Sequence, residues 1–207
     1  MPKKQKKDKK LRPKINTQIP LSQVRKVTFA QPKYRLQHAR EYPILGCWVM
    51  KNWQNTGLTP VVVAREQKDG RILYGSYLID LYCLGVKDVT VFADLSQAAL
   101  QRKLLKICQG EPEPCSVELA HEIIYGAIEF AKKYEFEPHP DFTLTLADQI
   151  LDPPEAHPRQ GNVQFGYQGK PFYIAGPYDN SQKIDLVMRT LKRTAGEGNY
   201  LYLINLG

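Results

Sequence analysis

Between residues 44 and 92 the chain repeats one pattern, short runs of β-branched and aromatic residues separated by turn chemistry, and nothing else in it restricts the fold as strongly. "LTPVVVARE" and "RILYGSYLIDLY" flank Lys68-Asp69-Gly70-Arg71. Asp-Gly supplies the positive backbone φ that tight hairpin turns need, so the two runs predict an antiparallel hairpin. "DVTVFADL" reads as another strand. "ILGCWVM" also reads as a strand, although Pro43 and Gly57 bracket it in a way that suits a helix.

The pattern then changes period. Ser96 can cap a helix running to about Ile107, and "EPEP" breaks the chain as a loop. Ser116 can cap a second helix, in which Ala120, Ile123, Ile124, Ala127, Ile128 and Ala131 recur at the three–four spacing of a buried stripe. Phe142, Leu146 and Ile150 continue that pattern until Pro153-Pro154. "NVQFGYQGKPFYIAG" predicts a hairpin about Gln168-Gly169. "SQKIDLVMRTLKRT" predicts an amphipathic helix with Ile184, Val187, Met188 and Leu191 inward, and "YLYLIN" a final strand. Sheet signals at both ends with helices between argue α+β: an antiparallel sheet built from N- and C-terminal hairpins and packed with three to four helices. The 207 residues suffice for a sizeable core.

The stretch "YLIDLYCLGVKD" places one carboxylate in an apolar run, with a thiol three positions later. Strand alternation puts Leu73, Tyr77, Ile79, Leu81 and Cys83 on a core face and Tyr74, Ser76, Leu78, Asp80 and Tyr82 on the other. Cys83 then reads as a small buried hydrophobe. Asp80 reads as a hydrogen-bonded acid on a half-exposed face, or as a metal ligand at a strand end. Cys47, Cys83, Cys108 and Cys115 form no Cys-x-x-Cys pair, which points to reduced thiols and a cytoplasmic protein.

"YLIDLYCLGVKD", "AHEIIYGAIEFA" and "FEPHPDF" together resemble a family of uncharacterised bacterial proteins that carry these phrases in this order. The resemblance spans roughly residues 43–175, at the size of a single domain. It implies one continuous fold and a bacterial cytoplasmic origin, and it brings no activity, cofactor or catalytic residue.

Candidate chemistry is sparse. If Asp80, His121, His139 and Asp141 converged, they would supply the nitrogen and oxygen ligands of a divalent metal and activate water for hydrolysis. His121 is expected at the edge of its helix's apolar stripe and Asp141 as a helix cap, while His38 and His157 fall in loops. No His-Glu-x-x-His, Walker or dinucleotide motif is present, and "AGPYDNS" reads as an ordinary helix cap rather than an anion-binding turn.

Charge is the stronger signal. Residues 1–40 hold thirteen Lys and Arg against one acid, Asp8, whereas residues 41–207 hold sixteen against twenty, although the whole chain carries +8. Residues 1–20 therefore read as a Lys-rich arm with too little to bury to order itself alone. Residues 21–42 read as a transitional segment, and 43–207 as a single α+β domain. The arm's Lys3, Lys4, Lys6, Lys7, Lys9, Lys10, Arg12 and Lys14 suit phosphate contacts driven by counterion release. Arg189, Lys192 and Arg193 on the last helix are weaker candidates. These residues favour a nucleic-acid-binding protein, with RNA or a ribonucleoprotein as partner. Two alternatives are a metal-dependent hydrolase or nuclease using Asp80 with His121, His139 and Asp141, and a non-catalytic scaffold.

Overall fold

The computed structural model describes residues 32–204; the expected Lys-rich arm and residues 21–31 of the transitional segment lie outside them. A short helix, α1 (Pro32–Gln37), opens the described chain. It is followed by a 3-10 turn over Ala39–Glu41 whose Ala39 is fully buried. The folded body thus reaches back past the expected start at Tyr42-Pro43.

Strands β1 (Ile44–Met50), β2 (Leu58–Glu66), β3 (Ile72–Asp80) and β4 (Gly85–Leu95) form an antiparallel meander. The β2–β3 turn closes where the sequence places it: Gln67 N donates to Arg71 O at 2.8 Å, and Gly70 adopts φ +74°. β1 is a strand and not a helix because it is paired on both edges, by β2 and by a strand further along the chain.

Helix α2 (Gln97–Ile107) follows, capped by Ser96, whose side chain accepts from Ala99 N. "EPEP", expected as a loop, lies largely within β5 (Pro112–Cys115), which adds antiparallel to β1 and completes the sheet order β4-β3-β2-β1-β5. Proline cannot donate to a ladder, so it reads as a breaker in sequence, yet a sheet edge tolerates it. Helix α3 (Val117–Lys132) is capped by Ser116. Its predicted stripe packs on Val49, Val61, Val63, Leu73, Tyr77 and Ile79. Leu100 and Leu104 of α2 cover Val62, Ala64, Ile72 and Tyr74 on the opposite face. The sheet is thus sandwiched, and the predicted alternation of Tyr77 and Ile79 against Tyr74 holds.

Beyond α3 the helical pattern breaks up. Helix α4 is only Asp141–Leu144, and a 3-10 turn over Ala147–Gln149 follows Leu146, whose φ is +62°. The expected C-terminal hairpin contracts to a single bridge between Tyr167 and Lys170 around Gln168-Gly169. Strand β6 (Phe172–Ile174), helix α5 (Ser181–Thr194) and strand β7 (Leu201–Leu203) come next. β6 and β7 pair parallel in a separate small sheet. The reason is topological: a helix crosses between them, which returns the chain in the same direction, whereas a hairpin reverses it. The fold is α+β as expected, but its C-terminal strands do not join the main antiparallel sheet. None of the helices among the described residues is long and apolar enough to cross a membrane.

Candidate functional site

The structure does not gather the four residues that a sequence-based hydrolase site required. Asp80 ends β3, and its carboxylate accepts from the amides of Tyr82 (2.9 Å), Cys83 (3.0 Å) and Leu84 (3.2 Å). It is buried and not half-exposed. Burial wins and raises its carboxyl above the usual carboxylate range, although the three amides and Lys87 oppose it. This is a turn-forming acid with both oxygens engaged by backbone amides. The same turn takes Cys83 out of the sheet into a separate cluster with Tyr173, Val187 and Leu191. Burial pushes that thiol far above its usual range, so it is no nucleophile.

His139 and Asp141 do meet, but with each other. Asp141 N donates to His139 Nδ1 at 3.3 Å, and the carboxylate stands 3.8 Å from that nitrogen. Asp141 caps no helix; the N-cap position of α4 is Pro140, without a side-chain bond. His139 instead lines a cavity of about 490 Å³ with Tyr125, Glu129, Lys132 and Phe142.

The C-terminal cations are engaged as well. Arg193 makes a two-pronged contact with Glu135 at 2.6 and 2.7 Å, Lys192 lies 3.5 Å from Glu197, and Arg189 Nε donates to Asp185 O. Glu135 is held below the usual carboxylate range by Arg193. Lys3, Lys4, Lys6, Lys7, Lys9, Lys10, Arg12 and Lys14 lie outside the described residues.

Around His121 a different group assembles. Among the described residues, His121, Asp152 and His157 are the one set of three or more ligand-type side chains that offer atoms within 4.8 Å of one another. The α3 stripe carries His121 inward, not to its boundary, and leaves it 1% exposed. Its ring packs edge-on against His157 at a centroid distance of 4.5 Å. Neither ring nitrogen of His121 has a hydrogen-bond partner. Burial and the neighbouring His157 lower its pKa to about 4, so the ring is neutral.

Two buried side chains fix the other members. Arg65, 3% exposed on β2, donates from Nε to Ile150 O (2.7 Å), from Nη1 to Tyr42 O (2.7 Å) and from Nη2 to Asp152 Oδ1 (2.5 Å). Tyr125 Oη, one turn along α3 from His121, donates to Asp152 O at 3.0 Å. Asp152 Oδ2 faces His157 Nε2 at 2.9 Å, and His157 Nδ1 lies 3.7 Å from Glu118 Oε1. Burial opposes ionisation of Asp152, but His157 and Arg65 outweigh it and hold its carboxyl low. Glu122 on α3, itself buried, accepts from Gln160 N (3.2 Å) and Val163 N (3.1 Å) and ties down the segment beyond His157.

No family model, curated protein or solved structure matches this chain.

Sequence reasoning singled out His121 but missed its neighbours. Asp152 precedes Pro153-Pro154 and His157 sits in a loop, so no helical or strand period relates either to α3. The available signal was chemical: Arg65 directly follows the apolar run Pro60–Ala64 of β2, and a guanidinium carried into the core by such a run requires a carboxylate somewhere in the fold.

Proposed function

We propose that this protein binds a polyanion, RNA or a ribonucleoprotein, in the cytoplasm, and that its amino-terminal arm makes the phosphate contacts. One observation carries the reading: eight Lys and Arg against a single acid, Asp8, in residues 1–20, beside an acidic excess in residues 41–207. The described body supports this division. Its exposed cations include Lys51 beside Glu111, Arg71 beside Asp94, Arg159 beside Glu129 and Arg193 beside Glu135. Such cations are already matched and gain little from exchanging one anion for another. The arm, with no comparable acids in its own sequence, releases counterions when phosphates replace them, and this term is independent of base sequence. The arm therefore tethers the body to the polyanion, and no base preference is assigned to it.

The test compares the full chain with a 21–207 form on a single-stranded RNA at fixed ionic strength. The reading predicts that truncation removes most of the affinity. Equal affinity of the two forms rules out the arm. Nucleic acid co-purifying with the full chain, sensitive to nuclease and to high salt, would support the same account.

A further inference from the structure

We propose that His121, His157 and Asp152 form a binding site for a zinc-class divalent metal ion. The proposal is independent of polyanion binding and rests on three features of the same place. The first is proximity, with one ligand atom of each residue within 4.8 Å of the other two. The second is the condition of His121. A neutral imidazole carries one donor and one acceptor, and leaving both unmade in the interior forfeits the hydrogen bonds that water would give them. His121 has neither satisfied. A metal ion takes the nitrogen lone pair that no protein group reaches.

The third feature is support around the ligands. Metal-bound carboxylates and histidines are usually oriented by a further shell of hydrogen bonds. Arg65 holds Asp152 Oδ1 and turns Oδ2 toward His157, while Tyr125 fixes the Asp152 backbone. Coordination through His157 Nε2 moves that ring's proton to Nδ1, the nitrogen facing Glu118 Oε1 at 3.7 Å. Glu118 thus stands where the outer carboxylate of a carboxylate–histidine–metal relay belongs.

The geometry needs little change. Zinc bonds of about 2.0–2.2 Å in a tetrahedron place ligand atoms roughly 3.3–3.6 Å apart. The Asp152–His157 contact must open from 2.9 Å, and the wider separations, within 4.8 Å, must close. Two imidazoles and one carboxylate suit zinc, cobalt or nickel; magnesium and calcium prefer all-oxygen shells. Three protein ligands leave a fourth position for water, and His157 and Asp152 are both partly exposed. Arg65 works against the ion, because its positive charge shares the same carboxylate. Glu118 offsets it in part.

The decisive experiment titrates metal-free full-length protein with Zn²⁺ against a chelating indicator and records the zinc X-ray absorption spectrum of the loaded protein. The proposal predicts one equivalent bound, undiminished by excess Mg²⁺, with a nitrogen/oxygen shell containing two imidazoles. His157→Ala and Asp152→Asn, checked for folding by circular dichroism, should bind at least about 10–100-fold more weakly. Absence of stoichiometric Zn²⁺ uptake, unchanged affinity in both variants, or sulfur in the zinc shell would each overturn it. If the variants fail to fold, the wild-type absorption spectrum decides alone.

Discussion

Arg65 of β2 and Asp152, far apart in sequence, meet through a 2.5 Å contact between Nη2 and Oδ1, and the same guanidinium also holds the carbonyls of Tyr42 and Ile150. One buried cation therefore anchors both the entry to β1 and the irregular segment that follows α4. Breaking a buried pair leaves an uncompensated charge, so Arg65→Ala should cost about 3–5 kcal/mol. Asp152 is partly solvated, which favours the lower end. Urea denaturation measures it; a loss below about 1 kcal/mol would show that the pair does not anchor this region.

Asp80 should prove structural. Asp80→Ala strands the three amides that turn the chain after β3, and unmade buried hydrogen bonds cost about 1–3 kcal/mol each before relaxation and water entry. Asp80→Asn keeps an acceptor and should retain much more stability than Ala. Equal losses in the two variants would contradict the turn assignment.

The acid limb of the stability curve should report Asp179. Burial would raise its carboxyl, but Lys183 at 2.6 Å, the Gly176 amide and Tyr173 Oη outweigh burial and hold it at about 2, against 3.8 when unperturbed. The folded state thus binds the proton less readily than the unfolded chain. This contribution is complete above about pH 4–5 and is lost as pH falls from there through about 2. Asp179→Asn should flatten that slope, as followed by thermal unfolding between pH 2 and 6; an unchanged slope would show that the ion pair is not formed.

Native thiols should be inert. Burial pushes Cys47 and Cys115 up to about 12 and Cys108 up to about 11, so thiolate is scarce near neutrality. Labelling with a thiol-reactive disulfide should be slow in the folded protein and reach all four cysteines only after denaturation. Rapid native labelling of Cys83 would contradict its burial.

Local chemistry made much of this fold legible. Asp69-Gly70, the Ser96 and Ser116 caps and the α3 stripe act through neighbours in sequence, and each sits where its pattern places it. Long-range pairing was not legible. β5 is a strand because β1 offers an edge, and β6 and β7 run parallel because α5 crosses between them. The metal-type cluster was hidden for the same reason: only His121 lies on a periodic element, while Asp152 and His157 come from loops that Arg65 and Glu122 pull into place.

The polyanion reading meets its sharpest test in the salt dependence of RNA binding by the full chain. Engagement of all eight arm cations on a single strand predicts that log K falls with log salt at a slope of about −5 to −6, and that the slope collapses when residues 1–20 are removed. The body variant Arg193→Ala should leave it unchanged. A slope near zero for the full chain, or one of the same steepness in the 21–207 form, would contradict the account.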